Sequence, residues 1–301
     1  MDCKAVREFC ENKKIEYKAL EPMSLHTSFK IGGNADLFVL PTNKAMLCDI
    51  IGFLNENKTP YFILGKGSNL LVSDKGIEGV VISLLSLNDI TVNGNIVKAD
   101  AGASLAAVCK ACLENDLTGL EFAYGIPGTV GGALYMNAGA YGGEMSMVVT
   151  SAEVLTADGK IESISASDMA LGYRTSCFKE NGAIILSVSF MLKKGNGSEI
   201  KALMEDFLSR RKDKQPLEYP SAGSTFKRPE GYFAGALIEK NGLKGKSIGN
   251  AEVSEKHAGF VINKGGATEN EVSALIKYIA DIVKENDGVS LEPEVIFVGR
   301  R

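Results

Sequence analysis

Apolar residues along the chain fall into two rhythms. Met46, Ile50, Ile51 and Leu54 recur at three- and four-residue steps, as do Leu105, Val108, Cys109, Cys112 and Leu113 within 104–116. Such spacing lines one side of a helix with apolar groups and predicts two helices. A third starts after the turn Gly195-Asn196-Gly197-Ser198 and carries Ile200, Leu203, Met204, Phe207 and Leu208. A fourth carries Val272, Leu275, Ile276, Ile279, Ile282 and Val283. Thr268 and Glu271 are spaced as a capping box at its start, and Asp287-Gly288 closes it. Residues 1–14 read as a short surface helix.

The second rhythm is short apolar runs, which predict strands at 36–40 (stopped by Pro41), 61–64, 70–72, 80–82, 95–99 and 295–298. Leu186, Val188, Phe190 and Leu192 alternate with Ser187 and Ser189, the pattern of a strand with one buried face. Asn93-Gly94, between the runs 80–82 and 95–99, is a hairpin signal. Strands and helices follow in mixed order, so the pattern favours an α+β fold over a doubly wound parallel sheet. No internal repeat is visible. The turn at 195–198 is the expected boundary between a domain of residues 1–195 and one of 196–301, in keeping with ~100–200 residues per domain.

Charge narrows the function classes. Lys and Arg total 33 against 37 Asp and Glu, a net charge of -4, which argues against a nucleic-acid surface. Acidic residues follow Met1 at once with no apolar leader, and no run reaches the ~18 apolar residues of a membrane span. A cytoplasmic protein is therefore expected, with Cys3, Cys10, Cys48, Cys109, Cys112 and Cys177 as free thiols. Cys109 and Cys112 lie on a helix's buried stripe, so they read as core residues and not as a redox pair or zinc ligands.

Glycine is the outlier at 33 of 301 residues, and two stretches rich in it stand out. Gly65-Lys66-Gly67-Ser68-Asn69 directly follows a predicted strand. Glycines there let backbone N–H groups approach an anion, and Ser68 and Asn69 add donors. Leu70 stands where a dinucleotide-binding loop needs its third glycine, and no Gly-Lys-Ser/Thr completes a Walker loop. Alone, this loop is equally a tight turn. The second region, 125–143, holds seven glycines in 19 positions, interleaved with Ile126, Val130, Leu134 and Met136. A flexible linker would be polar, whereas packed glycine-rich backbone points to close approach by a ligand or another segment. Two such regions suggest a large, flat, phosphate-bearing cofactor.

Gly65–Asn69 and the run Ile126-Pro127-Gly128-Thr129-Val130-Gly131-Gly132 resemble the flavin loops of the vanillyl-alcohol-oxidase (PCMH-type) FAD fold. Met136-Asn137-Ala138-Gly139-Ala140-Tyr141-Gly142 narrows the resemblance to the UDP-N-acetylenolpyruvoylglucosamine reductase (MurB) family, in its compact form. Thr27–Gly33, Gly172-Tyr173-Arg174-Thr175-Ser176, Ala222–Pro229, Val253–Ala258 and Leu291–Val295 match in the family's order, covering nearly the whole chain. The resemblance implies a two-lobed FAD-binding region, its core about 30–195, plus a C-terminal α+β substrate-binding domain.

It also implies the activity: NADPH-dependent, FAD-mediated reduction of enolpyruvyl-UDP-N-acetylglucosamine to UDP-N-acetylmuramate. The implied cofactor is noncovalent FAD, held by Gly65, Lys66, Gly67, Ser68, Asn69, Gly102, Ile126, Pro127, Gly128, Thr129, Gly131, Gly132, Asn137, Ala138 and Gly139. Reducing an enolpyruvyl ether needs a cation or donor at the carboxylate, where negative charge develops, and a proton donor for the carbanion-like carbon. Arg174 fits the first need and Ser224 the second, with Glu294 as a third catalytic residue that, protonated, donates to the enolate or serves as an alternative acid. Tyr173 is expected on the substrate; the basic stretch Arg210-Arg211-Lys212-Asp213-Lys214-Gln215-Pro216 at a helix end, Lys214 included, is either a solvated helix end or, with Lys227 and Arg228, a site for its diphosphate; His257 reads as structural or positioning. No metal is called for. The expected partners are small molecules only, with no nucleic acid or membrane, and a monomer is expected. Two alternatives stay open here: a flavin oxidase of the same fold, and a nucleotide-sugar-binding protein without catalysis.

Overall fold

The computed structural model describes residues 3–300. The first lobe is a four-stranded sheet in the spatial order Glu16–Pro22, Asn34–Leu40, Ile77–Ser83, Tyr61–Leu64. Its first pair is antiparallel and the others parallel. The helix Lys44–Glu56 starts where the Asn43 side chain accepts the Met46 N–H, and it buries Ile50, Ile51 and Leu54 of the predicted stripe, with Leu47 in place of the half-buried Met46. The helix Lys4–Lys13 packs beside it, Phe9 stacking on Phe53 with ring centroids 4.3 Å apart.

The second lobe is antiparallel, ordered Ile161–Ser165, Val149–Leu155, Ile184–Met191, Ile96–Asp100, Ile90–Asn93. Two expectations change here. The Asn93-Gly94 signal closes a hairpin between Ile90–Asn93 and Ile96–Asp100; the strand 77–83 belongs to the other sheet. The strand before the turn carries Thr91 and Asn93 on its exposed side, too little apolar pattern to be read in advance. The strand Ile184–Met191 is buried on both faces, with Ser187 fully enclosed, because it sits mid-sheet inside a core shared by both lobes.

That shared core contains Cys109 and Cys112 on the helix Leu105–Glu114, as their stripe predicted. Burial pushes the Cys112 thiol up to about 12 and raises that of Cys109 as well. The same core continues past residue 195, since the helix Gly197–Lys214 buries Ile200 and Met204 in it. The turn expected as a boundary is thus the start of a helix still packed on the first body.

A second core lies between the helix Glu269–Asp287 and the small sheet Ser247–Ile248, Ala251–Val253, Val261–Asn263. The helix begins with the Thr268–Glu271 capping box and ends at Gly288, whose φ of 71° needs glycine. Phe29, Ile31 and Leu71 also join this core. Several ties bind the bodies, three of them at the strand 296–298 and around Asp74 and Asp36. The strand Ile296–Val298 pairs in parallel with Leu70–Val72. Asp74 accepts the Glu269 and Asn270 N–H groups at 2.9 and 3.3 Å, an anion at a helix N-terminus. Arg300 grips both carboxylate oxygens of Asp36 at 2.6 and 2.7 Å. Among the described residues no helix is long and apolar enough to cross a membrane.

Candidate active site

A cavity of about 510 Å³ opens where the two lobes meet the C-terminal body. Gly65, Lys66, Gly67, Ser68 and Asn69 line one side, and Ile126, Pro127, Gly128, Thr129, Gly131, Gly132, Ala138 and Gly139 another. Arg174, Ser224 and Glu294 line the same cavity although 120 residues part the first from the last. The glycines serve different needs. Gly67 has φ 61°, and a Cβ there would fall 2.1 Å from the His26 carbonyl oxygen. A Cβ on Gly131 would lie 2.8 Å from that of Ala101, so this glycine answers to the protein's own packing. At Gly128 the nearest atoms would stand 3.9 Å away, which leaves room on the cavity side. A wall of close-packed glycine backbone beside open space fits a flat phosphate-bearing group such as FAD.

Local structure aims each catalytic candidate. Gly172 and Thr175 exchange backbone hydrogen bonds at 3.2 Å, which puts Tyr173 and Arg174 at the tip of a tight turn. Arg174 has φ 55°, a left-handed conformation that costs a non-glycine residue about 1–2 kcal/mol. Strain of that kind is kept where surrounding contacts enforce it. Here Asn137 donates to the Gly172 carbonyl at 3.0 Å, and Lys179 donates to the Arg174 carbonyl at 2.6 Å. The Arg174 guanidinium lies over the Tyr173 ring at 5.0 Å and donates from Nε to Glu294 Oε1 at 2.5 Å.

Glu294 and Ser224 come from adjacent segments, for the Glu294 N–H donates to the carbonyl of Thr225 at 2.8 Å. Thr225 is itself fixed by the Gly259 carbonyl and the Val261 N–H. Asn69, from the first glycine loop, donates to the Glu294 carbonyl at 3.1 Å, joining loop to carboxylate. Burial pushes the Glu294 carboxyl above its usual range, outweighing the opposing pull of Arg174, Lys227 and Lys179. Ser224 is exposed to the cavity and follows Gly223, where a Cβ would meet nothing within 4 Å.

Other residues singled out in the sequence lie elsewhere. Asn137 is fully buried and braces the 172–175 turn, also accepting the Ser146 N–H. Gly102 faces a neighbouring cavity of about 330 Å³ shared with Lys66 and Thr129. Its missing side chain is explained by the Leu84 carbonyl oxygen, 1.7 Å from where a Cβ would sit. Tyr173, Lys227 and Arg228 are not part of the lining: the Arg228 N–H donates to the Tyr173 hydroxyl at 3.0 Å, Lys227 pairs with Glu292, and Arg228 stacks on Phe233. Lys214 is exposed at its helix end and is not part of the lining. His257 accepts the Gly259 N–H at Nδ1, and burial lowers its pKa.

The cavity also takes Tyr135 and Phe260, which the sequence reading passed over, and, from the basic stretch 210–216, Arg211 and Gln215. Arg211 had a signal. It continues the stripe Ile200, Met204, Phe207 at a four-residue step, so helix phase singles it out from Arg210 and Lys212. Phe207, one turn earlier, stacks on Tyr141 of the second glycine region with ring centroids 4.6 Å apart.

Comparison with known proteins agrees with this geometry. Residues 35–165 match a family model described as FAD binding domain. Residues 215–298 match one described as UDP-N-acetylenolpyruvoylglucosamine reductase, C-terminal domain. The chain is 54% identical over 281 residues to the UDP-N-acetylenolpyruvoylglucosamine reductase of Caldanaerobacter subterraneus subsp. tengcongensis, covering 93% of each. It is 53% identical to the like-named protein of Clostridium novyi over 92% of this chain and 90% of that one. The crystal structure of MurB from Thermus caldophilus superposes with a TM-score of 0.81 at 32% identity, covering 94% of this chain and 98% of that one. The fold is thus the expected one, a vanillyl-alcohol-oxidase-type FAD-binding region with a C-terminal α+β domain. With both halves matched and relatives aligned along almost all its length, the chain belongs to the UDP-N-acetylenolpyruvoylglucosamine reductase family.

Proposed function

We propose that this protein is a flavin-dependent reductase that uses NADPH to convert enolpyruvyl-UDP-N-acetylglucosamine to UDP-N-acetylmuramate, a step of peptidoglycan precursor synthesis. The observation that carries this reading is the convergence of Arg174, Glu294 and Ser224 on one cavity walled by both glycine-rich regions. FAD, when bound, supplies the hydride-transfer chemistry, held noncovalently by the loops 65–69 and 126–132. Everything else falls to the chain's own groups.

Arg174 holds the pyruvyl carboxylate and opposes the negative charge that develops there, its planar guanidinium staying charged throughout. Its position depends on the Tyr173 ring and on Glu294. Burial favours the protonated form of Glu294, in which the carboxyl donates a hydrogen bond to the enolate oxygens. Ser224 gives its hydroxyl proton to the carbanion-like carbon, a strongly basic acceptor that compensates for the weak acid. Tyr173, Lys227 and Arg228, next to the lining residue Arg174 and the segment of Ser224, with Lys214 and Arg211 at the helix end, suit a nucleoside diphosphate: anionic groups beside cations and an aromatic face. The enzyme works in the cytoplasm as a monomer on small molecules, and its product feeds cell-wall biogenesis and thereby cell shape and division.

The first test is absorbance. The purified protein should be yellow, acid precipitation should release the flavin into the supernatant, and the enolpyruvyl sugar nucleotide should stimulate NADPH oxidation. A colourless protein that takes up no added FAD would end the reading. Rapid oxygen consumption without the sugar nucleotide would favour an oxidase instead.

A further inference from the structure

The helix Gly197–Lys214 brings a second arginine to the cavity besides Arg174. Arg211 lies one turn beyond Phe207, whose stacking on Tyr141 anchors this part of the helix to the second glycine region. Its stem runs past Gly125, where a Cβ would touch Arg211 Cδ at 3.4 Å. The side chain is half-buried and lines the cavity, yet among the described residues its guanidinium makes no hydrogen bond and no ion pair. Arg174, Arg210 and Arg300 each have a carboxylate. Burial works against the charge of Arg211, and among the described residues no carboxylate stands beside it to offset this. A cation drawn partly out of water without a counter-charge is costly, so in a ligand cavity it marks a place for a negative group.

Arg211 stands with Lys214 at the end of this helix, but of the two only Arg211 lines the cavity, which sets it a further task. We propose that Arg211 balances the negative charge that the flavin ring takes up on reduction. The proposal rests on the functional reading above and adds a residue to it. Taking a hydride from NADPH forms an N–H bond at flavin N5, oxidises the nicotinamide and leaves the ring with one negative charge, shared between N1 and the C2 carbonyl oxygen. Those two neighbouring in-plane acceptors form an edge like a carboxylate's, which a guanidinium can meet with two parallel hydrogen bonds. The cofactor's other charge, its diphosphate, has a cradle of its own: the backbone N–H groups of Gly65–Asn69 and the exposed Lys66 beside them. Arg211 belongs to the other wall, against Gly125 and, through Phe207, Tyr141. Beyond it the chain lines the cavity at Gln215, Ala222 and Gly223 before reaching Ser224. The cation thus stands on the stretch that leads to the reacting group, where the ring has to lie for hydride to pass. A positive charge there makes the ring easier to reduce while doing little for the neutral oxidised ring.

The test is the midpoint potential of the flavin-loaded protein, measured by dye equilibration for wild type, Arg211→Met, Arg211→Lys and Lys214→Met. Affinity for oxidised FAD is followed by flavin fluorescence on protein freed of its flavin, and affinity for UDP by calorimetry on the flavin-loaded protein. Arg211→Met should shift the reduction equilibrium about tenfold toward the oxidised form, a fall of about 30 mV for a two-electron couple. Its affinities for oxidised FAD and for UDP should stay within about threefold of wild type. Arg211→Lys, which keeps the charge and loses the planar fork, should fall between. Lys214→Met removes the same charge outside the lining and should leave the potential unchanged. Should Arg211→Met hold no flavin, Arg211→Gln carries the same measurement. A wild-type potential in the neutral variants overturns the proposal: lost UDP affinity alone would give Arg211 to the nucleotide's diphosphate instead. Loss of oxidised FAD from both neutral variants, or an equal fall of potential in Lys214→Met, overturns it too. If wild type takes up no FAD, the functional reading itself falls, and the proposal with it.

Discussion

Glu292 and Glu294 stand two residues apart just before the final strand, and each is salt-bridged to a cation from a distant segment. Glu292 meets Lys227 at the surface, with 69% of its side chain exposed. Glu294 meets Arg174 inside the cavity, with 13% exposed. In water a charge pair is screened and worth little, while burial raises both the cost of charge and the strength of whatever is aimed at it. Local sequence makes the two sites look alike. Their environments make one a surface tie and the other a candidate reagent, because burial raises the proton affinity of the Glu294 carboxyl.

The sharpest way to probe the buried site is to remove the proposed proton donor. Ser224→Ala should slow reoxidation of reduced flavin by the enolpyruvyl substrate by roughly 10²–10⁴-fold, the usual worth of a positioned acid. Bleaching of the flavin by NADPH, which creates no substrate carbanion, should be nearly unchanged, and Ser224→Cys should recover part of the lost rate. Rapid-mixing absorbance resolves both halves; equal slowing would move the acid to Glu294. Next in size, Glu294→Gln should lower kcat about 10²–10³-fold if the carboxyl stabilises developing charge. Steady-state assays of the matching Glu292→Gln protein should give less than about a twofold change in kcat, as its carboxylate lies outside the cavity lining.

A third contrast sets Gly131 against Gly128, three residues away. Gly131→Val must push Ala101 aside and should destabilise the fold by about 1–3 kcal/mol. Gly128→Val has space and should leave the melting temperature almost unchanged while lowering FAD occupancy; melting curves and flavin-to-protein absorbance ratios separate the two. The smallest effect concerns pH. The raised pKa of Glu294 means that the folded state holds this proton more tightly than the unfolded chain. The associated stability is complete below the ordinary carboxylate pKa of about 4.3 and is lost as pH rises through the raised folded value. Wild type should therefore lose melting temperature relative to Glu294→Gln between acid and neutral pH.

Much of this site is legible in the chain because its parts are local. A glycine loop, a tight turn around Arg174 and the Ala222-Gly223-Ser224 step each carry their conformational demand in a few neighbouring residues. Helix stripes are nearly as plain, since Ile50, Ile51 and Leu54 bury together wherever the helix docks, with only Leu47 replacing the expected Met46. What escaped notice depends on distant packing. Ser187 reads as surface until sheet neighbours on both sides and a core on both faces enclose it. Lys214 and Arg211 have the same charge and lie three residues apart, yet only Arg211 lines the cavity. Asn137 falls in a motif that looks like a ligand contact and instead braces a turn 35 residues downstream.

The parallel pairing of Ile296–Val298 with Leu70–Val72 sets an order of events in the making of this protein. Asn69 and Glu294 touch across 225 residues of chain, so the loop leaves the ribosome long before the carboxylate it supports. At about 5–20 residues per second, the glycine loops wait on the order of ten seconds or more for their last partner. Closing so long a span is also slow compared with forming the local helices and hairpins. A nascent chain can assemble both lobes and still lack Glu294, so the capacity to hold a flavin precedes the capacity to use it. A chain cut short within the final strand would keep much of its cofactor wall while losing the clamp that aligns its chemistry.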